Sequence, residues 1–266
     1  MNLTSITIGR YIPGDSPLHR LDPRIKLLGV LLLSITIFLP KTPVAYGLQV
    51  GFVALLILIS RTSLLMLWRG IRPVLIFLVI SALFNAFFTD GEPLVQLGSF
   101  SITREGLVIS ALALYRVVTL VVVASLLTLT TSPLRLTDGL ERLLRPFKRI
   151  GLPAEEIALM MTIALRFIPT LIDEADRIIK AQAARGADVT SRDLRKRIKG
   201  MVPILVPLFV SAFRRAEELA TAMESRGYRG GEGRTRMKEL AYSRPDAVAL
   251  VAVLAFTAAM AVLRWG

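Results

Sequence analysis

The stretch Leu107–Leu129 reads LVISALALYRVVTLVVVASLLTL, and its only charge is Arg116. A helix of about 20 apolar residues crosses the roughly 30 Å hydrocarbon layer of a bilayer, so this run reads as a membrane span. Three similar stretches precede it, roughly Arg24–Leu39, Val44–Ile59 and Val74–Phe88, and a fifth, Ala247–Leu263, follows. The first three are short for a span, and Ile71 or Leu64–Trp68 are candidates to extend them. The pattern predicts an all-α polytopic membrane protein with about five transmembrane helices.

Composition agrees with that class. Hydrophobic residues make up 53% of the chain and the mean hydropathy is +0.59, too apolar for an ordinary soluble domain. The formal charge is +13, yet the basic residues avoid the apolar blocks and gather between them. Lys and Arg prefer cytoplasmic loops, so a membrane partition explains the excess of charge better than nucleic-acid binding does. There is no cysteine, and the one histidine, His19, reads as a polar loop residue. Disulfides, thiolate metal sites and Cys or His catalysis are thereby nearly excluded. The first 23 residues lack an apolar core, so no cleavable signal peptide is expected.

Loop charges set an expected orientation. Arg10, Arg20, Arg24 and Lys26 mark the N-terminal arm, and Arg61, Arg69 and Arg72 mark the second connection; both belong in the cytoplasm. The first connection carries only Lys41, and the third sets Asp90, Glu92 and Glu105 against Arg104, so both face outward. The expectation is a multi-pass cell-membrane protein with a cytoplasmic N-terminus and an external C-terminus. Three segments follow: residues 1–131 as a membrane domain of four helices, 132–245 as a coupling-helix domain on the cytoplasmic side, and 246–266 as the last span.

The middle segment mixes apolar and charged residues and reads as three helices. Ser132-Pro133 starts the first, Leu136, Leu140, Leu143 and Phe147 mark its apolar face, and Arg142, Arg145, Lys148 and Arg149 precede the stop at Gly151. Being short, basic and amphipathic, it suits a membrane surface or a helix partner. The second runs from Glu155 to Arg185 with a stripe at Ile157, Met161, Ala164, Ile168, Leu171, Ala175 and Ile178, and Pro169 is expected to break or kink it. The third starts in an apolar run, Met201–Val210, which Pro203 and Pro207 are expected to break, and its stripe continues through Val206, Phe209, Phe213, Ala216, Ala220 and Met223. A basic connector, Ser191–Gly200, joins the two long helices, which the pattern allows to cross.

Both long helices end alike, in Ala184-Arg185-Gly186 and Ser225-Arg226-Gly227. Arginine before a helix-stopping glycine is ordinary capping chemistry when met once. Met twice, 41 positions apart (226 minus 185), it suggests two matched cationic tips for a partner with two sockets. Arg166 is a candidate buried partner of Glu174 or of a carbonyl. Arg116 is an intramembrane charge that serves either helix packing or a site.

No phosphate-binding G-x-x-x-x-G-K-[ST], H-E-x-x-H or G-x-S-x-G occurs, so neither nucleotide hydrolysis nor hydrolase chemistry is expected of this chain. The apolar blocks hold almost no carboxylates, which argues against a proton- or cation-coupled carrier. Neither a catalytic residue nor a metal ligand is expected.

The run from Asp138 through Leu140-Glu141 and Pro146 to Leu152-Pro153, then Glu156-Ile157-Ala158-Leu159-Met160, Leu165-Arg166-Phe167-Ile168-Pro169, Glu174 and Ala181-Gln182-Ala183-Ala184-Arg185-Gly186, resembles the transmembrane T component of energy-coupling factor transporters. Ala222-Met223-Glu224-Ser225-Arg226-Gly227-Tyr228 is similar to that family's second signature, and Asp22-Pro23-Arg24-Ile25-Lys26-Leu27 also matches. The resemblance spans nearly the whole chain. It implies a non-catalytic scaffold of an ATP-driven importer for a vitamin or a transition-metal ion. Two cytoplasmic ATP-binding-cassette ATPase subunits would dock on Ala184, Arg185, Gly186, Ser225, Arg226 and Gly227, and a membrane-embedded substrate-binding S component would lie against the chain in the bilayer. Arg166, Pro169, Glu174, Gln182 and Glu224 are the candidates for structural or coupling roles. The chain itself would bind no cofactor, ATP and Mg being held by the ATPases, and no nucleic acid. The alternatives are a permease subunit of a conventional ABC transporter, which predicts one short coupling helix, and a membrane-embedded lipid or isoprenoid enzyme, which predicts acidic or histidine clusters at the membrane surface.

Overall fold

Ser16-Pro17, Asp22-Pro23 and Thr42-Pro43 each set a short polar side chain before a proline, and each opens a helix. The side chains accept hydrogen bonds from the amides of His19, Arg24 and Ala45, while proline occupies a first-turn position where its missing N–H costs nothing. The computed structural model describes residues 11–97, 100–186, 194–230 and 242–265. In chain order the elements are α1 (Pro17–Arg20), α2 (Pro23–Thr36), α3 (Pro43–Ser60), α4 (Leu64–Phe88), strands β1 (Pro93–Leu97) and β2 (Phe100–Thr103), α5 (Arg104–Thr130), α6 (Pro133–Leu144), a 3₁₀ helix (Arg145–Ile150), α7 (Ala154–Ala184), α8 (Leu194–Ser225) and α9 (Arg244–Trp265).

The elements fall into two compact units, one of residues 10–140 with 240–266 and one centred on residues 141–239. In the first unit, α3, α4, α5 and α9 are long and apolar enough to cross a membrane. Their large side chains point mostly outward, as at Leu58, Phe77 and Val248, which is the arrangement lipid contact requires.

Helix α2 has only 14 residues, about 21 Å at 1.5 Å per residue. Helical turns continue it to Leu39, whose amide bonds to Thr36 O. It lies along α9 in parallel: Asp22 N donates to Asp246 Oδ1 at 2.7 Å, Gly29 faces Val253, and Arg264 Nη1 reaches Phe38 O at 3.4 Å. The first expected span, Arg24–Leu39, is thus a short helix that accompanies α9, and four of the five expected spans are long and apolar enough to cross a membrane.

Leu33, Val53, Leu67, Val122, Val123, Leu126 and Leu129 form the buried core where α2, α3, α4 and α5 meet. Between α4 and α5 the contact is closest at Gly106, where a Cβ would stand 2.5 Å from Asn85 O, so a larger residue would push the helices apart. The expected outward connection between these helices is an antiparallel hairpin, β1 with β2. Its four to five residues per strand are too few to stand out from a loop in sequence.

One end of this unit is tied by buried polar groups. Arg24 Nε and Nη2 clasp both carboxylate oxygens of Asp22 at 3.0 and 2.8 Å, and the guanidinium lies 4.0 Å from the Tyr242 ring centre. Asp246 Oδ2 accepts from Ser243 N and Oγ at 2.8 and 2.5 Å. Lys26 Nζ donates to His19 O, Thr130 O and Thr131 Oγ1 at 3.3, 3.1 and 3.0 Å. His19 is therefore no loose loop residue. It is buried, its Nδ1 meets Ser16 Oγ at 2.6 Å and its Nε2 meets Ile12 O at 3.1 Å. Buried polar groups of this kind stabilise a fold only as a satisfied set.

Several expectations change in the second unit and at its start. The first helix of the middle segment divides at Arg145-Pro146, where proline cannot donate to the helical ladder and the chain tightens to 3₁₀ before Gly151. Pro169 neither breaks α7 nor ends it, and α8 likewise passes through Pro203 and Pro207. Helix α8 begins at Leu194, so most of the expected connector is helical; residues 187–193 lie outside the described part, as does Arg10. In the first unit, α4 includes Arg69 and Arg72, which leaves only Arg61–Ser63 as the second connection.

Removing Asp246 strands the buried Asp22 amide, while the exposed Ser243 donors can turn to water. Asp246→Ala is expected to lower stability in detergent by about 1–3 kcal/mol, and Asp246→Asn, which keeps an acceptor, by less. Thermal unfolding of the two variants beside the parent checks this ranking.

Candidate functional site

The two arginine tips are both helix C-termini closed by a left-handed glycine. In α8 the amide of Gly227 bonds to Glu224 O at 2.9 Å and that of Tyr228 to Met223 O at 3.0 Å, with Gly227 at φ 76°. This is the complete six-residue C-cap in which two late amides satisfy carbonyls of the last turn. In α7 the same step recurs: Gly186 N bonds to Ala183 O at 3.0 Å, Arg185 N to Gln182 O at 3.1 Å, and Gly186 has φ 86°. A Cβ at either glycine would meet nothing within 4 Å, so it is backbone conformation, not space, that calls for glycine.

The caps are made entirely by backbone groups. Arg185 and Arg226 contribute only main-chain bonds, and among the described residues neither guanidinium has an ion pair or hydrogen bond. Both side chains are exposed, as are Ala184, Gly186, Ser225 and Gly227. Ser225 Oγ turns back onto Ala222 O at 3.0 Å. Capping therefore accounts for the glycines and leaves the arginine side chains unexplained.

Glu174 binds across to the other helix. Its Oε2 accepts from Arg215 Nη2 of α8 at 3.0 Å, both side chains being partly buried. Arg166, expected as a buried partner of Glu174 or of a carbonyl, is exposed instead. The face of α7 against α8 is Ile163, Phe167, Thr170 and Leu171, which with Ala212, Ala216, Leu219, Ala220 and Met223 lines a cleft of ≈ 300 Å³. Leu171 of the expected α7 stripe is among the residues lining this cleft. On α8 the small residues Ala212, Ala216 and Ala220 meet α7, since small side chains let two backbones approach. Val206, Phe209 and Phe213 are left exposed. Pro169 is exposed within α7, and Gln182 and Glu224 serve the tips through their carbonyl oxygens.

Arg116, the intramembrane charge read as serving helix packing or a site, has a buried Nε in α5 with no hydrogen-bond partner among the described residues, and its guanidinium lies 5.7 Å from the Phe38 ring centre. One pair escaped the site reading of the sequence: next to Arg116, Tyr115 OH donates to Gln49 Oε1 of α3 at 2.9 Å. Gln49 in an apolar run was the available signal, because a polar residue in a span needs a partner.

A family pattern described as cobalt transport protein, CbiQ, matches residues 14–237. Among curated relatives, the energy-coupling factor transporter transmembrane protein EcfT of Acidaminococcus fermentans is 52% identical over 264 residues, covering 99% of this chain and 98% of the relative. The protein of the same name from Heliobacterium modesticaldum is 53% identical over 251 residues, 94% of each chain. That of Clostridium kluyveri is 50% identical over 254 residues, 95% of this chain and 94% of the relative.

Backbone capping and side-chain function are separable at α8. Gly227→Ala is expected to cost about 1–2 kcal/mol for placing a Cβ in the left-handed region, seen as faster amide hydrogen exchange at Tyr228. Arg226→Ala should leave that exchange unchanged; faster exchange would assign the arginine to the cap.

Proposed function

Because the chain belongs to the family of energy-coupling factor transporter transmembrane proteins, we propose that it is the membrane scaffold that couples two cytoplasmic ATPase subunits to a substrate-binding S component. The observation that carries this reading is the pair of exposed, unengaged guanidiniums at Arg185 and Arg226, each held at a rigidly capped helix end. An arginine fork makes bidentate hydrogen bonds to carboxylates, so a plug of this kind transmits force with fixed geometry. One tip serves each ATPase. The Glu174–Arg215 bond and the alanine-lined contact link α7 to α8, so movement at either tip is felt by the other helix.

ATP and Mg are bound and hydrolysed on the ATPases, and this chain holds no cofactor of its own. The S component needs an apolar surface within the bilayer, and the exposed Val202, Val206, Phe209, Val210 and Phe213 of α8 supply one. Its cargo is a vitamin or a transition-metal ion, a class that includes the cobalt of the family's description. The end of the bundle bearing Arg20 and Arg61 faces the cytoplasm, and the β1–β2 hairpin and the end of α9 face outward.

Arg185→Ala or Arg226→Ala should each weaken ATPase docking about ten-fold or more, the worth of a charged hydrogen bond, and the double variant should lose the complex. Arg→Lys at either tip should also impair it, because an ammonium cannot replace the fork. Co-purification with tagged ATPases measures the effect. An intact, ATPase-loaded complex from the double alanine variant would sink the proposal.

A further inference from the structure

Helices α2, α3, α5 and α9 do not close completely against one another, and a groove of ≈ 950 Å³ remains among them. Its walls are apolar, with Val30 from α2, Leu55 and Ile59 from α3, Leu127 from α5, and Val248 and Val253 from α9. From Arg244 to Val253 a helix rises about 14 Å at 1.5 Å per residue. That is close to half of the roughly 30 Å hydrocarbon thickness, so the groove is about one leaflet deep.

Its mouth is basic. Arg20, Arg61 and Arg244 line the groove at the end where Asp22 and Asp246 meet, and all three are exposed. Asp15, also on the lining, lies 3.6 Å from Arg20 and is the one carboxylate there. Lys26 lines the groove too, but its ammonium is engaged by His19 O, Thr130 O and Thr131 Oγ1. Arg61 adds an independent sign. Among the described residues it alone, apart from glycines, has a positive φ, 52°, at the C-cap of α3. Glycine or asparagine fits such a cap at lower cost, so the turn by itself does not explain an arginine there.

An apolar slot one leaflet deep, with three guanidiniums at the headgroup level, complements an amphiphile with an anionic head. We propose that this groove is a binding site for an anionic phospholipid, its acyl chain lying among α2, α3, α5 and α9 and its phosphate on Arg20, Arg61 and Arg244. Guanidiniums offer planar donor pairs that match phosphate oxygens. A hydrophobic helix from a protein partner would fill the slot but bring no anion to Arg61 and Arg244. The site does not depend on the role of the helix tips, because it can be tested on the chain alone.

The full chain is placed in phosphatidylcholine nanodiscs holding a trace of either phosphatidylglycerol or phosphatidylcholine with a photoactivatable acyl chain. After irradiation, labelled peptides are mapped by mass spectrometry. Phosphatidylglycerol should label Leu55–Ile59 and Val248–Val253 more than phosphatidylcholine does, by roughly five-fold for each arginine engaged. The two lipids should label the outward-facing Phe77 and Phe84 of α4 equally. Arg61→Gln with Arg244→Gln should reduce groove labelling towards the phosphatidylcholine level. Arg61→Lys with Arg244→Lys should keep most of the preference and shows that double substitution is tolerated. Equal labelling of the groove by both lipids, or a preference unchanged in the double glutamine variant, overturns the proposal. So does a groove labelled by neither lipid, which would point to a protein occupant.

Discussion

Four buried charged side chains, Asp22, Arg24, Lys26 and Asp246, tie one end of the membrane bundle together, and the helix arrangement depends on them. Apolar helices in lipid gain little from hiding apolar surface against one another, since the surrounding tails are as apolar as their own side chains. Specific contacts must therefore choose the neighbours. Asp246 receives the Asp22 amide at 2.7 Å and so fixes the register of α9 on α2, residues 224 positions apart in sequence. Lys26 binds the last carbonyl of α5 and the hydroxyl of Thr131, which brings the end of α5 to the start of α2. A set of this kind is stable only when complete, because each stranded buried group would lose its hydrogen bonds to water without replacement.

A similar economy governs α7 and α8. Their contact is made by alanines with Leu219 and Met223 on α8, by a few larger residues on α7 and by one ion pair, while the phenylalanines of α8 remain outside. The bulky residues are thus free for lipid or for a partner, and the close approach falls to residues with almost no side chain. The helix ends follow the same division of labour. Backbone amides and a left-handed glycine finish each helix, which releases the arginine side chain from any structural duty.

Much of the fold was legible because its signals are local. Apolar runs marked the spans, and the Ser132-Pro133 pair does open a helix, α6. Gly186 and Gly227 do stop them, in the left-handed conformation that glycine permits. Misreadings arose where local rules met a context that overrode them. Pro169, Pro203 and Pro207 are carried inside continuous helices. Arg166 was matched to Glu174 of its own helix or to a carbonyl, whereas Arg215 of α8 reaches that carboxylate.

The sequence by itself determined the solvent, the helices and their ends, since hydropathy, proline and glycine act over a few residues. It also showed that the tips Arg185 and Arg226 come as a pair. Tertiary structure alone decided that α2 lies along α9, that Arg24 stacks on Tyr242, that Glu174 belongs with Arg215, and that four helices leave a basic-mouthed groove. These are relations between residues distant in the chain, and a long-range pairing has no period or spacing for a sequence to display.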